Sequence, residues 1–293
     1  MIRHAISMLL LLAFQPCVGG ERPQSSIAYC RPLHGYWQIW RFEPATREHT
    51  PLTSSPWDKR GLRYVPKTGR ILFRNNQGKL FETSTNGKEP TPVVLPATEV
   101  VKDFDYAANR GFLVSSYAAN ALDSIRIWFV PGDRSEKRLL VSDPHLNELP
   151  RWISGSQDFV YVNSHAATST IHRASAVTGT HRPLFNINIC ATDPAPSPDG
   201  KRLACCVEGP KGFDLCVVDL KNPAVKVIYA GSGLEADPSW SPDGRVLFFS
   251  TWDGHNFRIA AVDRDGSDFR YISPKGIDAR FPICLSPTHG GVE

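Results

Sequence analysis

One stretch of this chain occurs twice, 44 residues apart and without a gap. Asp193-Pro194-Ala195-Pro196-Ser197-Pro198-Asp199-Gly200 aligns with Asp237-Pro238-Ser239-Trp240-Ser241-Pro242-Asp243-Gly244. The match continues past the shared turn. Leu203 falls on Leu247, Phe213 on Phe257, Leu215 on Ile259, Val218 on Val262 and Asp219 on Asp263. A fixed period in this range signals stacked supersecondary units, and units rich in short strands signal a β-propeller.

The period extends in both directions. The Trp240 position recurs at Pro196, Trp152, Tyr106 and Tyr64 going back, and at Cys284 going forward. Each occurrence is followed by a turn rich in Gly, Asp, Asn or Pro, then by apolar strands rich in β-branched and aromatic residues. Five complete units run from about Trp57 to Ser273. The remainder at the C-terminal end, residues 280–287, supplies only the first strand of a sixth. Shifting by 220 residues, five periods, lays Ile27 on Leu247, Tyr29 on Phe249, Trp37 on Phe257, Ile39 on Ile259 and Leu52 on Ile272. The expected fold is therefore all-β, a six-bladed β-propeller whose sixth blade is closed by both chain termini. Such closure leaves no open sheet edge between the first and last units.

The pattern resembles the TolB-type, or WD40-like (PD40), propeller repeat, which carries a D-P-x-W-S-P-D-G turn and a later strand ending near V-D-x-D-G-S. Residues 237–267 match it along their length, residues 193–219 match it well, and the other units match in pattern. The resemblance implies the propeller fold and leaves the cellular role open. Members with an α/β domain ahead of the propeller need more chain than lies between Glu21 and Trp57, and peptidase members carry a hydrolase domain after it. The propeller alone is expected here, over residues 21–293.

Residues 1–20 read as a secretory signal. Arg3 and His4 precede an apolar run at 5–14 with four leucines, followed by a short segment ending Val18-Gly19-Gly20, so cleavage before Glu21 is expected. The run is too short to cross a bilayer of ~30 Å. A lipoprotein reading would lipidate Cys17, but Phe14-Gln15-Pro16 suits such a site poorly. The protein is thus expected to be exported, periplasmic or extracellular, with no transmembrane segment. Six cysteines would remain: Cys30, Cys190, Cys205, Cys206, Cys216 and Cys284. There is no C-x-x-C to suggest zinc, and the adjacent pair at 205–206 must face opposite sides of a strand. Register places Cys30 and Cys284 on neighbouring strands but about three residues apart, roughly 10 Å at ~3.3 Å per residue, so both are expected to be reduced.

A net charge of +4 over 293 residues, with no Lys/Arg cluster, gives no electrostatic footprint for nucleic acid. No G-x-S-x-G elbow and no phosphate-binding loop is present. The Ser-Pro-Asp-Gly aspartates Asp199 and Asp243 read as turn residues, with Pro presetting φ and Gly accepting a positive one. Trp240 and Trp152 read as packing between blades. The candidate site lies at the start of the innermost strands, near one mouth of the central channel. Asp103, Asp193 and Asp237 occupy one equivalent position, and Glu148 and Arg280 fall at or beside it. Such a ring suits a cation, a sugar or a peptide terminus; equally, each Asp-Pro pair has a local role at a strand entry. The expected function is a non-enzymatic binding or scaffold propeller for a protein or carbohydrate partner. No cofactor is expected, although the channel mouth would accept a cation. The alternative is a carbohydrate-active lyase or hydrolase using channel-mouth acids or a metal.

Overall fold

The computed structural model describes residues 25–96, 100–118, 124–185 and 190–286. The expected signal segment and Cys17 lie outside the described residues. Six four-stranded antiparallel sheets form, and the strands next to the innermost ones, such as Gly111–Tyr117 and Val246–Trp252, are apolar runs buried on both faces. Blade 1 spans residues 60–93, blade 2 100–141, blade 3 146–183, blade 4 191–229 and blade 5 235–271. Blade 6 takes Arg280–Cys284 as its inner strand and Ile27–Leu33, Tyr36–Glu43 and Glu48–Pro51 as the rest. Pairing of Ile27 with Cys284 in blade 6 repeats that of Leu247 with Trp240 in blade 5, as the 220-residue shift requires. The six inner strands are Arg60–Val65, Val100–Ala107, Leu146–Trp152, Ala191–Pro196, Glu235–Trp240 and Arg280–Cys284. Each touches the next, and the last touches the first.

The core is divided among the gaps between blades. A strand sends alternate side chains to opposite faces, and each face here meets a neighbouring blade. Six clusters of buried side chains result, each drawn mainly from two adjacent blades. Trp240 is buried between blades 4 and 5, and its indole Nε1 donates to the Ala195 carbonyl at 2.8 Å. Trp152 fills the matching gap between blades 2 and 3 and donates to the Gly111 carbonyl at 3.2 Å. Cys205 faces the gap toward blade 3 and Cys206 the gap toward blade 5, so the adjacent cysteines serve two different cores. All six described cysteines are free.

The Ser-Pro-Asp-Gly turns satisfy themselves. Asp199 accepts from the Lys201 amide at 3.0 Å, Asp243 accepts from the Arg245 amide at 3.1 Å, and Gly200 and Gly244 sit at φ 66° and 65°. One register detail differs from a simple ladder. Unbroken pairing back from Trp240–Leu247 would set Asp237 opposite Ser250, whereas the structure pairs Ala236 with Ser250. A β-bulge between Ala236 and Ser239 absorbs the extra residue. Cys30 therefore pairs with Arg280, four positions from Cys284 rather than three.

Candidate functional site

The same register shift occurs on the inner strand of every blade, between Arg60 and Arg63, Val101 and Asp103, Glu148 and Arg151, and Thr192 and Ala195, with its blade 6 counterpart opposite residues 28–30. The repeat-equivalent residues at these bulges are Gly61, Asp103, Leu149, Asp193, Asp237 and Phe281; in blade 2 Asp103 pairs with Ser115 and the extra residue is Lys102. All but Asp103 have left-handed backbones, with φ between 50° and 64°. Aspartate tolerates this conformation better than most residues, which gives the Asp-Pro pairs a backbone reason at these positions. The bulges also turn side chains that would otherwise alternate along the strand into the central channel.

There they line one cavity of about 650 Å³ that runs from the bulges to the first turns, where Pro66, Ser154, Ser197, Pro242 and Ser286 border it. All five sequence-derived candidates, Asp103, Glu148, Asp193, Asp237 and Arg280, are in the lining. The sequence reading missed the bases that accompany them: Arg60, Arg63, Arg74, Lys102 and Arg151. The mouth is therefore a ring of mixed charge rather than a carboxylate ring. A signal for two of these was present. Arg63 and Arg151 both lie two positions after the bulge residue, a position the repeat leaves open to either polarity.

Each carboxylate has a different environment. Asp103 is clamped between two arginines, Arg151 Nη2 at 3.0 Å and Arg63 Nη2 at 3.3 Å, and also accepts from the Phe104 amide at 2.6 Å. Burial pushes its carboxyl up, but the two guanidiniums and the amide outweigh burial and hold it below the usual carboxylate value. Burial, with Arg151 close by, draws Arg63 down to about 10, so it keeps its charge at neutral pH. Asp105 meets Arg63 Nε at 3.4 Å and accepts from the Trp152 amide at 2.8 Å. Glu148 pairs with Lys102 at 3.5 Å. Asp237 accepts from the Ser250 hydroxyl at 2.9 Å and from Arg280 Nε and Nη2, both at 3.2 Å. The Arg280 guanidinium also lies over the Phe257 ring, 4.4 Å from its centroid.

Asp193 alone among the three aspartates of this position has neither a hydrogen-bonding donor nor an ion-pair partner among the described residues. Burial and the nearby Asp237 carboxylate push it up to about 7, against the weaker pull of Arg151 and Arg280. Among the described residues, no group of three His, Cys, Asp or Glu side chains is arranged to hold a metal ion. The His145 and His165 rings meet at a 50° tilt, 4.6 Å between centroids, and His145 lies 3.7 Å from Asp143, but all three are outside the cavity lining.

Three comparisons place this geometry. The chain is 23% identical over 161 residues to the Tol-Pal system protein TolB of Wolinella succinogenes, a match covering 55% of this chain and 38% of that protein. TolB from Acinetobacter baumannii superposes with a TM-score of 0.76 at 14% identity, over 88% of this chain and 66% of that one. An oligogalacturonate lyase in complex with manganese superposes with a TM-score of 0.62 at 12% identity, over 86% of this chain and 74% of that one. At these identities the structural likeness is one of fold, and a shared propeller does not carry a shared activity. The chain spans less than two thirds of the length of the TolB proteins it matches. The family model of the TolB beta propeller domain matches residues 113–287, more than half of the chain, and the protein belongs to that family.

Proposed function

We propose that this propeller is an exported binding module that holds a partner, protein or carbohydrate, in its central channel and performs no reaction on it. The observation that carries this reading is how the channel carboxylates are engaged. Asp103, Asp105, Glu148 and Asp237 are all tied to basic side chains, which suits a rigid recognition surface. A glycosidase-type site instead needs two carboxyl groups free to act on one bond. The mixed charge of the wall also favours a polar partner over an apolar one.

The alternative, a carbohydrate-active lyase or hydrolase, draws on one specific observation. Asp193 is raised to about 7 beside Asp237, and acids poised near neutrality accompany proton-transfer chemistry. Turnover separates the two readings. Purified protein should release neither unsaturated nor newly reducing ends from polyuronates or neutral glycans, with or without added manganese. Product formation that disappears in Asp193→Asn would overturn the binding reading. A photo-crosslinking residue introduced at Ile283, which lines the cavity, should give a discrete adduct in producing cells, and that adduct should weaken in Arg151→Ala. Export is checked by the mass of the mature protein, which should begin at Glu21.

A further inference from the structure

Repeat-equivalent positions around Asp193 and Asp237 differ in two ways, and both remove a partner from Asp193. Asp237 receives a hydroxyl from Ser250; the residue 44 positions earlier, facing Asp193, is Cys206. Asp237 receives a guanidinium from Arg280 on the following blade; the residue 44 positions earlier is Ala236. The Asp193 environment thus reproduces the Asp237 site with its cation taken out. Ala236 brings no charge or donor to Asp193 where Arg280 brings a guanidinium to Asp237, and both carboxylates line the same cavity.

The opposite wall has the reverse deficit. Blade 1 faces blade 4 across a six-membered ring, and it presents Arg60 and Arg74, directly paired across neighbouring strands. Both line the cavity. Arg74 has no ion pair among the described residues, and its Nη1 reaches only the Asn75 carbonyl at 3.2 Å. The nearest carboxylate to Arg60 is Asp58 at 3.7 Å. The Nε atoms of both arginines are buried without a hydrogen-bond partner. Two adjacent guanidiniums that share, among the described residues, only the single 3.7 Å carboxylate contact between Arg60 and Asp58 leave room for an anion that would complete them.

We infer that the channel binds a small zwitterion, with its ammonium or guanidinium group on Asp193, in the place Arg280 takes on Asp237, and its carboxylate on the Arg60–Arg74 pair. This rests on the binding reading above and gives it a ligand class. A desolvated carboxylate gains most from a cation that can also donate hydrogen bonds, as the Arg280 arrangement shows within the same ring. The burial that disfavours an unpaired Asp193 charge is relieved once such a group arrives.

Calorimetry on the full mature protein tests this at pH 8, where Asp193 is ionised. The probes are L-lysine and free alanine peptides of two to six residues, with their N-acetylated and C-amidated forms, and calcium or manganese chloride alone. At least one free peptide or lysine should bind. Acetylation and Asp193→Asn should each weaken binding at least tenfold, and amidation and Arg74→Gln likewise. Ala236→Arg supplies the missing guanidinium from the protein itself and should abolish binding while the protein still melts cooperatively. Failure of every zwitterion to bind, or equal affinity for free and capped forms, overturns the inference. So does Asp193-dependent binding of the metal salts with none of the peptides, which would make this a cation site. The two readings fail separately. A cross-linked adduct from position 283 that persists in Asp193→Asn leaves the binding module standing without the zwitterion, whereas glycan turnover removes the binding module itself.

Discussion

Blades 4 and 5 carry the same turn, the same bulge and an aspartate at the same left-handed position, yet the two aspartates have opposite fates. Asp237 is paired with Arg280 and hydrogen-bonded by Ser250, while Asp193, with Ala236 and Cys206 at the equivalent positions, has no such partner among the described residues. The contrast extends to packing. Trp240 closes the gap between these blades, but its equivalent in blade 4 is Pro196, a much smaller residue. Repetition therefore fixes the scaffold, and departures from repetition decide which channel carboxylates lack a protein partner.

The largest effect expected from this comparison is at the Trp240 and Pro196 pair. Trp240→Ala should cost about 3–5 kcal/mol, because it opens a cavity between two blades and strands the Ala195 carbonyl. Pro196→Ala should cost less than about 1 kcal/mol. Equilibrium denaturation of both variants checks this; similar losses would mean that the blades pack alike and that the comparison is wrong. Next, Arg280→Ala should cost roughly 2 kcal/mol, less than a fully buried pair because the arginine is partly exposed. Arg280→Lys should recover part of the loss, and a variant as stable as the parent would show that Asp237 does not need its partner.

The third expectation concerns pH. Asp193 is raised to about 7 from an ordinary value of 3.8, so the stability linked to it is fully present below about pH 4 and is lost as pH rises through 7. Asp193→Asn does not lose it, and asparagine accepts the left-handed backbone at this position. The variant should be more stable than the parent at pH 8, by up to about 4 kcal/mol at ~1.4 kcal/mol per pKa unit, with the difference gone at pH 4. Urea unfolding at both pH values measures it, and a variant less stable at pH 8 would contradict the assignment. The smallest effect is Cys206→Ser, which gives Asp193 the hydroxyl that Asp237 already has. Stability should change by no more than about 1 kcal/mol, but the Asp193 carboxyl, followed by NMR titration, should fall toward its ordinary value. A titration that stays near 7 would show that the missing hydroxyl is not part of the cause.

The sequence by itself determined the number of blades, their boundaries and the blade shared by the two ends, because a 44-residue period is local chemistry repeated: a Pro-Asp-Gly turn, then short apolar strands. It also placed Asp103, Asp193 and Asp237 on one ring, since equivalent positions of a repeat must occupy equivalent places. Only the tertiary structure decided which of them is satisfied. A partner such as Arg280 comes from the next blade, and Arg63 and Arg151 reach Asp103 from the blades on either side. The bulge that turns these side chains into the channel shifts the pairing by one residue in each blade, and the repeat carries no separate mark for it. Charge balance in the channel depends on distances between residues about 40 or more positions apart. The period brings them to the same ring, but their contacts follow from how the bulges aim each side chain once the ring has closed.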